Sequence, residues 1–409
     1  MCPTRAINIL SSKCGKGDAF SGRFVHPGEI VDAPVDRAMI HDNNAALVIE
    51  NFGKITGASV WSPDKIAFFI DHHSPSTSVG AVKHHSLMRR FAHDNGISEF
   101  FDCGHGISHV VMIEEGLAAP GEIVVGTDSH TTGEGASGAF ATGIGATEMA
   151  AVLATGRVWL RVPETLKISL SGVWPNKVCA RDVMTAVLGR LGPEGASYRS
   201  VEFQGSAADA MSLEDRIVCC VMSMEMGAKN ALFVPQPDDD AQYERVEYFD
   251  ASAMTQMAAL PGLPTNAVPL AELEGERVKI DQAFIGSCAG GLLGDIESAA
   301  KVLEGKHVAD GVRLLVIPAT RRIYGEALKR GYIKILHDAG AVIGSPACGG
   351  CGGHDAGILA PGEVCVANSA RNMKGRMGAG GVVYLVNSAT VALSAVRGHI
   401  TGEERGDAR

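Results

Sequence analysis

Three cysteines in the last third of the chain, each set among glycines, have the spacing of a soft-metal site. Cys288 lies in Ile-Gly-Ser-Cys-Ala-Gly-Gly, and Cys348 and Cys351 lie in Ser-Pro-Ala-Cys-Gly-Gly-Cys-Gly-Gly. Thiolates are soft ligands that select iron–sulfur clusters, zinc or copper(I). The flanking glycines let backbone N–H groups approach a bulky inorganic core with no Cβ in the way. Three thiolates leave a fourth position for substrate or water, which is what a Lewis-acid metal needs. The competing reading is a closed Cys3His zinc site, with His354 three residues beyond Cys351. The cysteines alone do not choose between the two.

A second set of residues suits proton transfer. Asp71 and His72 are adjacent, Asp128 and His130 share the run Gly-Thr-Asp-Ser-His-Thr-Thr, and His109 ends Gly-His-Gly-Ile-Ser-His. A carboxylate beside an imidazole fixes its tautomer and raises its basicity. A single pair is usually a surface accident; two pairs at the ends of apolar runs, in a chain with three such cysteines, point to a proton-transferring site. Arg371 and Arg376 stand five apart in Ser-Ala-Arg-Asn-Met-Lys-Gly-Arg. Their guanidinium forks suit carboxylates, although surface arginines are the commoner case. Together these parts describe elimination of water from a hydroxy acid: arginines hold the carboxylate, a metal takes the hydroxyl, and histidine–carboxylate pairs move protons.

The elements that must position these groups alternate between strand and helix. Residues 65–70 are a continuous apolar run, consistent with a strand buried on both faces, and Asp71-His72 follows it directly. Residues 122–125 run in the same way into the Asp128 loop. An apolar run also ends at His41-Asp42. Acids and imidazoles just past the carboxyl ends of buried strands are how open α/β sheets build sites. Helices are expected over 80–94, 146–155 and 180–191, and from Ser212 as N-cap, with Asp215 in capping-box position, to about 228, with Glu225 near the end. His109 is placed in a loop. Residues 312–343 read as strand–helix–strand. A boundary is expected at 162–164, and the three prolines of 260–275 read as a linker. Alternating strands and helices predict an α/β chain with mainly parallel sheets, and no fixed-period repeat is seen. Gly133-Glu-Gly-Ala-Ser-Gly138 matches a dinucleotide fingerprint but follows no strand directly and lacks the later acid, so it is read as chance.

Composition narrows the function class. A net charge of −10 without a basic run disfavours nucleic-acid partners. There is no apolar stretch of membrane-spanning length and no signal-type N-terminus, so no membrane association and a cytoplasmic location are expected. The cysteines show no paired framework, in keeping with a reducing compartment.

The runs around Asp128, Cys288, Cys348/Cys351 and Arg371–Arg376, with Asp71-His72, Gly156–Glu164 and the closing Tyr-Leu-Val-Asn-Ser-Ala-Thr, resemble the aconitase superfamily, and most closely its isopropylmalate dehydratase branch. The resemblance covers nearly the whole chain. It implies three aconitase-like α/β domains, here 1–163, 164–270 and 271–409, around a 4Fe–4S cluster with one labile iron. Cys288, Cys348 and Cys351 fall on its ligand positions. Asp71, His72, His109, Asp128, His130 and Glu225 fall on the catalytic positions, and His41, Arg371 and Arg376 on substrate-binding positions. It also implies a separate small subunit carrying the swivelling fourth domain, which aconitases hold in one chain. The substrate would be a hydroxy-carboxylate such as 3-isopropylmalate; homoaconitate, dimethylmalate or citramalate types, or a non-catalytic metal-binding protein, are the alternatives. The chain departs from the family pattern at Ala289 and Gly290 (usually Thr-Asn), at Val221 (usually Asn) and at Ala370 (usually Asn). These departures leave open the cluster's type and the substrate.

Overall fold

Short apolar runs that stop at a glycine or an acid become parallel strands here, because covering both faces removes any need for alternation. Ile66–Phe69 and Ile123–Gly126 are buried at every position. The computed structural model describes residues 3–15, 24–234, 241–353 and 356–402. His354, weighed above as a zinc ligand, lies outside them, as do residues 403–409.

Three larger sheets carry the chain, beside a two-stranded antiparallel pair of Ile30–Pro34 with Arg157–Arg161. The first has the order Glu99–Phe101, Ile66–Phe69, Arg37–His41, Ile123–Gly126, Phe140–Gly143, all parallel. The second is Asn230–Phe233, Ser200–Gln204, Thr165–Ser171, Arg245–Asp250, also parallel. The third places Val342–Ile343, Arg313–Val316, Gln282–Ile285, Val364–Ala367 and Val382–Leu385 side by side in parallel. Numbered along the chain within each sheet, the parallel strands have the order third, second, first, fourth, and then fifth where a fifth exists. One winding pattern is thus used three times, without a sequence repeat to announce it. In such a sheet the crevice lies where the winding reverses, between the first and fourth strands at their carboxyl ends.

Helix boundaries follow local chemistry. Ser78 accepts from Ala81 N at the start of Val79–Asp94, and Ser212 forms the expected box with Asp215 at the start of Leu213–Ser223. That α-helix stops earlier than the periodicity suggested and tightens into a 3-10 turn, Met224–Met226, which carries Glu225. His109 is not in a loop: it sits in the first turn of the helix Ser108–Glu114. The expected linker is also structured. Met257–Ala259 and Ala267–Pro269 extend the third sheet in antiparallel fashion, and Leu270–Glu274 is helical. Prolines are tolerated there because one strand lies at the sheet's edge. The third sheet therefore begins at Met257, ahead of the boundary expected at 270.

The segment Ser129–Ser137 is a 3-10 helix wedged between the first and second sheets. A Cβ at Gly135 would overlap the carbonyl oxygen of Ala231. Gly135→Ala should therefore lower stability by about 1–3 kcal/mol, the usual cost of overpacking a rigid contact. Urea unfolding of the purified chain checks this; an unchanged midpoint would mean the two segments can part freely.

Candidate active site

The first and third sheets turn their crevices toward one site. In the first sheet, His41 ends the first strand, and Thr127 and Asp128 follow the fourth. In the third sheet, Gly286, Ser287 and Cys288 follow the first strand, and Asn368 to Arg371 follow the fourth. Asp71 and His72 lie just beyond the second strand of the first sheet, and Cys348 and Cys351 just beyond the third strand of the third. The second sheet contributes differently, through the turn that carries Glu225.

Asp128 is the hub. Its Oδ1 lies 3.2 Å from His109 Nε2 and accepts from the backbone N–H of His130 at 2.7 Å. Its Oδ2 lies 3.5 Å from His72 Nε2 and 3.6 Å from His41 Nε2. Burial resists its ionisation, but the bonds from His109 and His72 hold the carboxyl well below its ordinary value. His72 is also gripped by Asp71, whose Oδ1 lies 2.8 Å from Nδ1. Against burial, the two carboxylates raise His72 well above the ordinary imidazole range. His41 goes the other way, pushed down by burial and by the neighbouring His72, with its Nδ1 2.6 Å from Thr127 Oγ1. The site thus sets an imidazole whose proton affinity is raised beside one whose affinity is lowered, their ring centroids 4.6 Å apart.

Glu225 joins the two halves. Its Oε1 accepts from His130 Nε2 at 2.8 Å and from Arg371 Nε at 2.7 Å. Burial and the Arg371 charge lower the affinity of His130 for a proton. The Nδ1 of His130 stands 3.7 Å from Cys288 Sγ, so the proton-handling residues reach the thiols directly.

Cys288, Cys348 and Cys351 are all buried. Cys351 is held well below the ordinary thiol range, first by the Cys348 thiol that donates to it and then, against burial, by the Arg376 charge. Arg376 therefore faces the thiols, and its Nε has no partner among the described residues. Ser287 adopts φ 83, a left-handed conformation that costs a non-glycine residue about 1–3 kcal/mol and aims the next side chain. Side chains at Gly349 or Gly353 would overlap Ile317 or the Arg376 carbonyl, so only glycine allows this close wrapping. Three buried thiols near enough to shift one another's proton affinity, with arginine charge alongside, are a donor set that fits an anionic iron–sulfur cluster.

The positions that depart from the family pattern are all buried. A Cβ at Gly290 would overlap Asn368, whose amide accepts from Gly286 N at 3.0 Å and donates to Gly290 O at 2.7 Å. An amide is thus present beside the cysteine loop, supplied by the neighbouring strand. Arg181, 4 % exposed, donates to Ala289 O at 2.6 Å and Ser369 O at 3.0 Å, clamping the loops that carry Cys288 and Arg371. Val221 packs toward Gly133, where a Cβ would come within 2.8 Å of it.

Arg181 and Asn368 were not anticipated from the sequence; Asp42, noted there only at the end of an apolar run, has a carboxylate that accepts from His72 N at 3.1 Å and His73 N at 2.9 Å and meets His85 Nε2 at 3.2 Å. Glu134, 3.1 Å from His109 Nδ1, was also passed over. Asp42 was legible as the residue after His41 at a helix start; a charged residue between Gly133 and Gly135 was a weaker sign.

A family model described as the aconitase family (aconitate hydratase) matches residues 20–237 and 230–398. The chain belongs to the aconitase family. It is 44% identical to a 3-isopropylmalate dehydratase large subunit of Methanopyrus kandleri, over 98% of this chain and 99% of that one. It is 41% identical to a probable methanogen homoaconitase large subunit of Methanothermobacter thermautotrophicus, over 94% and 95%. Aconitase X of Thermococcus kodakaraensis shares the fold with a TM-score of 0.52 at 12% identity, over 90% of this chain and 93% of that one. The expected α/β architecture with mainly parallel sheets is the one observed. As an aconitase-family member the chain is a hydro-lyase, of a family that uses a 4Fe–4S cluster. No helix among the described residues is long and apolar enough to cross a membrane.

Proposed function

We propose that this chain is the large subunit of a cytoplasmic 3-isopropylmalate dehydratase of leucine biosynthesis, which isomerises its substrate by removing and re-adding water. The observation that carries the reading is near-full-length identity to such large subunits, in a chain whose acid–imidazole pairs surround three buried thiols. Homoaconitate is the second reading, favoured by the methanogen relative. The chain divides, on this reading, into three units near 1–163, 164–270 and 271–409, the last joined by the strands from Met257.

Cys288, Cys348 and Cys351 would hold the cluster. Bound there, a cluster with one iron outside the cysteine set supplies a Lewis acid that makes hydroxide a competent leaving group. The chain's own residues do the rest. Arg371, fixed through Nε by Glu225, and Arg376 present positive charge to the substrate carboxylates. His72 and His109, whose flanking carboxylates favour the protonated ring, supply hydrogen to the departing oxygen, while His41, its proton affinity lowered by burial, donates or accepts beside them. A small subunit, implied by the large-subunit names of the relatives, would close the site from outside and complete the reading of the substrate's side group.

The test is metal and sulfide content after oxygen-free purification, with dehydration assays on 3-isopropylmalate and homoaconitate together with the small subunit. About four irons and four sulfides per chain, with turnover of 3-isopropylmalate, is the expected result. One zinc and no sulfide would remove the proposal.

A further inference from the structure

Among the buried carboxyls outside this scheme, Glu134 touches a residue within it. Glu134 is fully buried in the 3-10 segment between the first and second sheets. The glycines on either side leave it little choice. A side chain at 133 would come within 2.8 Å of Val221, and one at 135 would overlap Ala231. The backbone is therefore pressed against the helix Leu213–Ser223 and the strand Asn230–Phe233. The Glu134 side chain meets His109: Oε1 lies 3.1 Å from Nδ1, and Oε2 has no partner among the described residues. The other ring nitrogen of His109 lies 3.2 Å from Asp128 Oδ1.

An imidazole with a carboxyl group at each nitrogen has a definite proton count. Neutral imidazole carries one N–H, so between two carboxylates it would set a lone pair against an anion. The row Glu134–His109–Asp128 avoids this only by holding a second proton, either as an imidazolium between two carboxylates or as a neutral ring between a carboxylate and a carboxylic acid. An isolated aspartate–histidine pair needs only one.

We propose that Glu134 is a positioning residue for the water-elimination reaction, closing the Nδ1 side of His109 and keeping in the row a second proton that the His109–Asp128 pair alone would not hold. This rests on the hydro-lyase reading above. The electrostatics agree with the geometry. Burial opposes charge on His109, yet Glu134 and Asp128 push it up to about 10, while burial raises Glu134. His72 and His41 face the row at the far oxygen of Asp128, 3.5 and 3.6 Å from Oδ2, and neither reaches His109 or Glu134. His130 meets the His109 ring edge-on at 6.2 Å and is pushed down. Cys220, on the packed helix, is pushed far up by burial and stays neutral.

The test uses Glu134→Gln, which keeps the shape and removes the charge, and Glu134→Asp. The 15N resonances of His109, read with the 13C carboxyl resonances of Glu134 and Asp128 in the full-length chain, should show two protons in the row at pH 8 in the native protein, on both ring nitrogens or on one ring nitrogen and one carboxyl, and only one in Glu134→Gln. In the two-subunit enzyme, the alkaline limb of kcat/KM should move down by at least about one pH unit, KM should stay within about twofold, and Glu134→Asp should recover part of the shift. The sign follows from the raised pKa: a form needed protonated is lost as pH rises, and it is lost sooner once its anionic partner is gone. A native His109 that titrates at the ordinary imidazole value would overturn the proposal, as would a fall in kcat at all pH values with the limb unmoved. The resonance arm needs no substrate, so it stands or falls separately from the assigned reaction.

Discussion

Cys288→Ser is expected to abolish turnover, a loss of at least about 10^3-fold or ~4 kcal/mol of transition-state stabilisation, while the chain stays folded. Cys288 follows a residue in a left-handed conformation, is almost wholly buried, and lies 3.7 Å from His130. Serine fits the same space, and its hydroxyl costs only about 1–3 kcal/mol if left unbonded. What it cannot supply is a soft anionic sulfur. Circular dichroism melting and the dehydration assay on the same preparation check both halves. Substantial turnover by the folded variant would remove these cysteines from the chemistry.

Asp128→Asn comes second in size, with an expected fall in kcat of about 10^3-fold, within the range for lost proton-transfer groups. An amide retains an acceptor for the His130 backbone, so the loop should hold. It removes the one charge shared by His72, His109 and His41. The raised affinities of His72 and His109 for protons then fall. The stabilisation that these pairs give the folded state is fully present below the unfolded imidazole value, ~6.5, and is lost as pH rises toward the raised folded values. The variant should therefore be less stable than the native chain at neutral pH, with the gap closing above about pH 10. Pre-steady-state assays and melts across pH measure this; a variant with a near-native kcat would make Asp128 a bystander.

Much of this site could be read from residue order alone, for a physical reason. Asp71-His72 and Asp128 follow strands buried on both faces, and such strands show themselves as short apolar runs that end abruptly. The cysteine pair announced itself through glycine. What stayed hidden depended on contacts across the sheets. The Glu134 pairing joins residues 134 and 109, and Arg181 reaches loops near 289 and 369. Neither carries a local periodicity. The strands after Met257 were masked by prolines, which an edge position tolerates. The winding pattern shared by the three sheets was invisible because it lives in strand order, not in residue identity.

The backbone N–H of Cys348 donates to the carbonyl of Asp71 at 2.8 Å, and the same residue's Oδ2 accepts from Ser108 N at 2.8 Å. The shape of the cysteine loop is therefore written partly by a residue made far earlier in synthesis. With folding proceeding from the N-terminus during translation, the first sheet and its histidines can be in place before the last thiols emerge, and those thiols close onto a finished wall. A newborn chain would then expose no complete set of metal-binding sulfurs until the frame that shields them already stands.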